Sequence, residues 1–294
     1  MRIICVHLCL SAAQFFFLCV FPQLLRFGPV MSRQPAVFFA HGSPMSALGG
    51  DAHAAALAAF GAQHSSAKAI LLISAHWQQS RPLRVTSWDH APLIYDFGGF
   101  PDELYHIAYP APGSPLLALR VANVLEAGNQ AVRPQPDRGL DHGAWVPARL
   151  AWPAAAIPVI ELSMPFATPE ELFQIGKALR PLRDDGFLIA GTGGIVHNLS
   201  RVHLENKDAP VDPWAAEFDS WVAEQVAARN LEALFAYRGN APHSRLSVPT
   251  TEHFDPLFIV LGMSYPGDNL ETIFEGFHYG NISMRSFSFS NARS

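Results

Sequence analysis

The chain has 294 residues, enough to bury the core of one large domain. It carries 20 basic and 25 acidic residues, a formal net charge of −5, and it has no cluster of Lys and Arg, which argues against a nucleic-acid partner. All three cysteines (Cys5, Cys9 and Cys19) lie near the amino terminus, so the rest of the chain has no disulfide framework, no Cys-ligated zinc and no cysteine nucleophile.

Residues 1–30 are predicted to be an N-terminal extension that lies outside the folded domain. Arg2 precedes an apolar stretch from Ile3 to Phe21, but no small-x-small cleavage site follows it. Met31 stands just before the first convincing strand, where a complete protein would begin. We therefore expect an upstream start and a cytoplasmic protein. The alternative is a targeting segment, which would make the protein membrane-anchored or exported.

The first predicted elements form a βαβ unit. The apolar runs 37–40 and 69–74 are predicted strands, and the Ala-rich stretch 51–63 between them is a predicted helix. A βαβ crossover would make the two strands parallel and neighbouring. The residues that follow them, His41 and His76, are therefore expected at the same sheet edge, close enough to share an ion.

A long aromatic segment, 95–109, follows a weak strand at 83–87. It has little helical or strand periodicity, and a loop this apolar is often packed over a site as a lid. The later predicted elements are a helix from Pro115 to before Gly128, a strand 157–162, a helix from Pro169 to about Leu179, a strand 187–190, a helix starting at Pro213, and an apolar helix or strand 257–261. The alternation predicts a single α/β domain with a central, mostly parallel or mixed sheet flanked by helices on both faces.

A third histidine follows the predicted strand 187–190: a Gly-rich segment leads from it to His197. Ligands bind outside the carboxyl ends of parallel strands, and neutral imidazole is the commonest metal ligand. His142 follows an aspartate at a predicted loop-to-helix junction, and His253 follows a glutamate before an apolar segment. Each of these histidines alone has an alternative as a helix-capping or core residue, but their convergence favours a metalloenzyme.

Several short motifs follow one another along the chain in a recognisable order. They are His41-Gly42-Ser43-Pro44, Ser74-Ala75-His76-Trp77, Tyr95-Asp96-Phe97-Gly98-Gly99-Phe100-Pro101, Leu140-Asp141-His142-Gly143-Ala144-Trp145-Val146-Pro147, Glu252-His253 and Ser283-Met284-Arg285. In this order they resemble the 4,5-DOPA-type extradiol dioxygenases, class III ring-cleavage enzymes related to protocatechuate 4,5-dioxygenase. The resemblance covers the chain from Met31 onward, so residues 31–294 are expected to be the catalytic domain.

The resemblance implies a non-haem Fe(II) enzyme that inserts both atoms of O2 into a catechol such as DOPA, giving a ring-opened semialdehyde; Zn(II) often occupies the site of purified members. It implies metal ligands at His41, His76 and His253. His197 would be either a further ligand or the catalytic base, and His142 would contact the substrate and help to move protons. The expected partners are a catechol and O2, with no stable membrane partner for the catalytic domain and no predicted oligomeric state.

Three other functions stay open at this point. A zinc-dependent hydrolase, a tetrapyrrole-type metal chelatase and a non-catalytic metal-binding protein could use the same fold. Chelatases share a His-Gly-Ser segment after the first strand but lack the motifs around His76 and His142. The sequence ranks neither the possible catechols nor the basic residues that would hold a substrate carboxylate, which are Lys68, Arg81 and Arg285.

Overall fold

The structure, a computed structural model, describes residues 32–90 and 92–291. The predicted extension and its cysteines lie outside the described residues. The strands are β1 (Ala36–Ala40), β2 (Ala69–Ser74), β3 (Gln78–Gln79), β4 (Leu83–Thr86), β5 (Val132–Gln135), β6 (Val159–Glu161), β7 (Met164–Pro165), β8 (Phe187–Gly193), β9 (Asp268–Phe274), β10 (Phe277–His278), β11 (Ile282–Ser283) and β12 (Ser286–Asn291). The helices are α1 (Ala52–Gln63), α2 (Pro115–Ala127), α3 (His142–Ala151), α4 (Pro169–Asp184), α5 (Pro213–Ala227), α6 (Leu231–Phe235), α7 (Tyr237–Asn240), α8 (Ser244–Ser247) and α9 (Pro256–Met263), with 3₁₀ helices at Pro44–Leu48 and Asp102–His106.

The central sheet has six strands in the order β6-β2-β8-β1-β12-β9. Strands β6, β2, β8 and β1 run parallel to one another, whereas β12 is antiparallel to both of its neighbours. Helices α1 and α3 pack together on one face of this sheet, and α4 and α9 pack together on the other. The predicted fold class, a single α/β domain with a mixed sheet between two helical layers, is confirmed.

The prediction that the first two strands are neighbours is wrong. Strand β8 lies between them and pairs in parallel with both, so that Ile189 is opposite Ala36 on one side and Leu71 on the other. Every residue of β8 is buried, which suits it to the centre of the sheet. The crossover from β1 to β2 is long enough to pass over one strand, and it still brings both carboxyl ends to the same edge.

Helix α9 resolves the ambiguous apolar segment near residue 257. All eight of its residues are buried, because it lies between α4 and strands β8 and β1. A segment that is apolar on every side gives no periodicity that separates helix from strand. Among the residues that the structure describes, no helix is long and apolar enough to cross a membrane.

Helix α4 continues past the predicted end near Leu179 to Asp184, through Pro181. Its last turn is held from outside, since the buried Arg183 forms an ion pair of 2.6 Å with Asp268 and donates to three backbone carbonyl groups. This buried ion pair offsets the loss of helical hydrogen bonding at the proline. Tertiary contacts, rather than local helix propensity, therefore determine that α4 continues to Asp184.

His53, in the first turn of α1, is expected to make the fold sensitive to acid. It is 1% exposed, and burial lowers its pKa to about 4. The unfolded chain protonates this imidazole below about pH 6.5, whereas the folded chain resists until about pH 4. The contribution of His53 to the free energy of unfolding is therefore fully present above the pKa that this imidazole has in the unfolded chain. It is lost as the pH falls from that value toward the pKa in the folded chain. We expect His53 to contribute about 2–3 kcal/mol to the loss of unfolding free energy between about pH 7.5 and about pH 4.5.

Urea unfolding at both pH values checks this expectation. His53→Gln should lose less stability between them than the wild type does, by the amount given above. His106→Gln, which changes an exposed histidine, is the matched control and should behave as wild type. An equal loss of stability in His53→Gln and wild type would contradict the assignment.

Candidate metal centre

Five histidines meet at the carboxyl edge of the central sheet. His41 directly follows β1, His76 follows β2, and His197 follows β8. His142 is the first residue of α3, and His253 lies just before α9. His41, His76 and His197 thus follow the ends of strands, as the sequence predicted.

Three of these imidazoles converge on one point. Ring nitrogens of His41, His76 and His253 lie within 4.8 Å of one another, and the Nε2 atoms of His41 and His76 are 3.2 Å apart. Burial, and then the neighbouring histidines, lower the pKa values of His41 and His253 well below the ordinary value, so both rings are neutral at neutral pH. Neutral imidazoles with lone pairs directed at one point are the form that binds a metal cation.

The remaining ring nitrogens support the same interpretation. His253 Nδ1 lies 3.2 Å from Glu252 Oε1, while its buried Nε2 has no hydrogen-bond partner among the described residues. His76 Nδ1 lies 3.3 Å from Asp96 Oδ2. A carboxylate on the far nitrogen of a ligand histidine orients the ring and fixes its tautomer. The donor set therefore fits a transition metal, since imidazole suits iron and zinc alike.

Asp96 joins this trio to His142. Its Oδ1 lies 2.9 Å from His142 Nδ1 and also accepts the backbone N–H of His142, while Oδ2 faces His76. Burial alone would raise the pKa of Asp96, but the hydrogen bonds from His142 lower it to about 2. The sequence placed Asp96 only inside a motif and gave it no role. Its function follows from a contact that spans 46 positions of the chain.

Asp141 holds the first turn of α3 in place. Asp141 caps the helix by accepting from the Ala144 N–H, and its carboxylate also accepts the Ser74 hydroxyl at 2.6 Å and Arg138 at 2.9 Å. Ser74 is the last residue of β2. The cap therefore ties His142 on α3 to His76 beyond β2.

His197 occupies a different place from the three converging ligands. Its ring stacks on that of His253, with centroids 3.5 Å apart and planes within 6°. Burial, followed by the nearby His76, lowers its pKa to about 4, so it is neutral at neutral pH. Its ring nitrogens do not belong to the group of convergent ligand atoms. Whether it serves as ligand or base stays a prediction at this point.

Two glycines permit these close approaches. A Cβ on Gly193 would collide with the His253 carbonyl oxygen, and the next residue, Gly194, donates its N–H to that same oxygen at 2.8 Å. A Cβ on Gly143 would lie 2.7 Å from the His76 ring. Any side chain at either position would push a site histidine away from the sheet edge.

The histidines form the floor of a cavity of about 390 Å³. Phe97, Gly98 and Phe100 of the aromatic segment form part of its wall, and the Phe97 ring centroid lies 5.6 Å from that of His142. The segment is mostly irregular, as predicted, apart from one short 3₁₀ helix. Its wall position is consistent with the predicted covering role.

The carboxyl-terminal motif around Arg285 has a structural role. Arg285 binds Asp219 through Nε and Nη2 at 2.9 and 2.7 Å, and the Ser283 hydroxyl donates to the same carboxylate at 2.6 Å. Met284 packs against Gly42, beside His41. This motif therefore packs against Gly42, a residue that lines the cavity.

Asp96→Asn is expected to lower the kcat of the ring cleavage that the sequence resemblance implies. The expected loss is about 10- to 100-fold, the usual effect of removing a carboxylate that orients a site histidine. Asparagine lacks the charge that holds His142 and His76 in one tautomer each. The measurement is steady-state turnover at saturating metal together with metal affinity, which should also fall because the Asp96 carboxylate orients His76. Asp102→Asn, at an exposed position, is the control. Turnover unchanged in Asp96→Asn would contradict the orienting role.

Comparison with known proteins places the chain in context. Residues 35–289 match the family described as the catalytic LigB subunit of aromatic ring-opening dioxygenase. The chain is 40% identical over 230 residues to a 4,5-DOPA dioxygenase extradiol of Beta vulgaris, covering 76% of this chain and 83% of that protein. It is 36% identical over 259 residues to a protein of the same name from Escherichia coli, covering 87% and 94%. A crystal structure of an uncharacterized Escherichia coli K12 protein superimposes with a TM-score of 0.74 at 31% identity, covering 87% of this chain and 99% of that one.

Proposed function

Since the chain belongs to the LigB family of aromatic ring-opening dioxygenases and is an extradiol ring-cleaving dioxygenase, we propose that it opens the ring of a catechol such as DOPA at a mononuclear iron site. The observation that carries the proposal is the convergence of His41, His76 and His253 on one point at the floor of a cavity. Three protein ligands leave coordination positions open for a diol and for O2.

The proposed ligands are His41, His76 and His253. Fe(II) is the proposed active metal, and Zn(II) is a second ion that these imidazoles suit. Bound iron would supply the redox chemistry by which a catechol reacts with O2. A small-molecule catechol and O2 are therefore the proposed partners.

Two imidazoles of the cavity, outside the proposed ligand set, are available to move protons. We assign His197 as the base that accepts a proton from a substrate hydroxyl, because burial keeps it neutral and it lies beside the ligand His253. His142 donates its Nδ1–H to Asp96, which leaves the Nε2 lone pair free to accept a proton from a bound substrate and to return it during ring opening.

The wall residues exclude water from the reacting groups. Phe97 and Phe100 present aromatic side chains to the cavity, where a flat ring can pack against them. A catechol held between these rings and the histidines loses most of its contact with bulk solvent. This is the role proposed for the aromatic segment as a cover.

Oxygen consumption by the Fe(II)-loaded chain tests the proposal. Uptake with L-DOPA or simpler catechols, together with a new yellow semialdehyde absorbance, is expected, and both should be lost in His142→Ala and His76→Ala. No uptake with any catechol by protein that holds one metal per chain would contradict it. The hydrolase, chelatase and non-catalytic alternatives are not favoured, because the curated relatives at 36–40% identity are extradiol dioxygenases by name.

A further inference from the structure

The cavity has two chemically different ends. Its floor carries the five histidines and Asp96, while its outer wall is formed by aliphatic and aromatic side chains. Leu199 and Leu204 stand at the mouth, since they line the cavity and yet are 64% and 72% exposed. Val202 and Ile282 add two further aliphatic side chains to the lining of the cavity. Large exposed apolar side chains grouped around an opening mark a surface that binds an apolar group.

No lysine or arginine lines this cavity among the residues that the structure describes. Of the described side chains that line the cavity, Asp96 alone is a carboxylate, and it is already bound to His142 and faces His76. Tyr279 and Ser43 offer hydroxyl groups without charge. A substrate carboxylate inside the cavity would therefore lose its hydration without gaining an ion pair.

The basic residues named from the sequence as candidates for such a contact lie elsewhere. Arg285 is bound to Asp219 and Glu275, Arg81 donates to Gln130, and the Lys68 ammonium lies 6.0 Å from the centre of the Phe187 ring. Lys207, close in sequence to the mouth, forms an ion pair with Asp51. None of them is a lining residue of the cavity.

From this arrangement we propose that the site selects catechols with an apolar, uncharged substituent over catechols whose substituent carries a carboxylate. The proposal rests on the ring cleavage proposed above and names the substrate class of that site; DOPA, whose side chain carries a carboxylate, would be cleaved there less efficiently than an alkylcatechol. The diol faces the histidines, and the substituent extends along Val202 and Ile282 toward Leu199 and Leu204. Each methylene that leaves water against this wall should strengthen binding by about fourfold.

A matched pair of substrates measures the preference. 4-Propylcatechol and 3-(3,4-dihydroxyphenyl)propanoate differ only by a terminal methyl group in place of a carboxylate. We expect kcat/KM of the Fe(II)-loaded enzyme to favour the propyl compound by about tenfold or more. Calorimetric dissociation constants on the Zn(II)-loaded protein should rank the two compounds in the same order.

Variants at the mouth test whether the wall sets this preference. Leu204→Arg should reduce the ratio of the two kcat/KM values by about tenfold, since it supplies a cation for the carboxylate. Leu204→Gln should weaken the propyl compound without improving the acid. Leu119→Arg, at a 56% exposed leucine on α2 outside the cavity, should leave the ratio unchanged, as should Arg201→Gln at a basic residue near the mouth that does not line it.

Equal or reversed ranking of the two substrates in the wild type would overturn the proposal while leaving ring cleavage intact. A rise of the ratio in Arg201→Gln would also overturn it, because Arg201 would then be binding the carboxylate of the acid in the wild type. If no catechol is cleaved, ring cleavage itself fails, and the binding ranking on the Zn(II)-loaded protein still decides the substrate class.

Discussion

His253→Ala is expected to lose both the bound metal and ring cleavage. His253 supplies one of three convergent ring nitrogens, and its Nε2 has no other partner among the described residues. Loss of groups that merely orient a ligand lowers metal affinity by about 10- to 100-fold, so loss of the ligand itself should exceed 100-fold. Metal analysis after dialysis and oxygen consumption measure the two effects.

This variant should fold, because the segment is held by its backbone. The His253 carbonyl accepts the Gly194 N–H, a contact that alanine retains. A circular dichroism spectrum like that of the wild type is therefore expected. His106→Ala, an exposed histidine outside the cavity, is the matched control and should keep metal and activity. Full metal content in His253→Ala would remove this residue from the ligand set.

His197→Phe is expected to keep the metal and lose turnover. Phenylalanine can preserve the stacking on His253 while removing both ring nitrogens. Loss of a general base typically lowers kcat by about 10²- to 10⁴-fold. The measurements are kcat and metal content on the same preparation, with His243→Phe, at an exposed histidine, as control.

The two roles considered for His197 give opposite results for metal content. If metal is lost in parallel with kcat, the residue is a ligand rather than the base. If the metal stays and kcat falls, the residue moves protons. A wild-type kcat in His197→Phe would exclude both roles.

The strands that lead into the histidines were predictable because each is a short apolar run ended by Gly, Ser or Pro. Their carboxyl ends meet at one sheet edge whichever strand lies between them, so His41 and His76 are close although β8 separates their strands. Strand order was not predictable from these runs, because every parallel strand of the sheet is similarly apolar. That is why the position of β8 was missed.

Strand β12 was missed although its local sequence pattern indicates a strand. Ser286–Asn291 alternates serine with phenylalanine, a pattern typical of an edge or half-exposed strand. It is instead an inner strand, and the Ser286 hydroxyl accepts the Ala40 N–H at 3.0 Å. The role of Asp96 could not be predicted from the local sequence either, since it depends on a contact with His142, 46 positions away in the chain.

The placement of β1 has a consequence for biosynthesis. This strand is synthesised before both of its sheet partners, β8 and β12, which are made of residues 187–193 and 286–291. Strand pairings between distant parts of a chain form slowly, and unpaired apolar strands aggregate. While residues 41–186 are being synthesised, Ala36–Ala40 therefore has no sheet partner to pair with. The nascent chain therefore exposes this apolar strand until residues 187–193 have been synthesised.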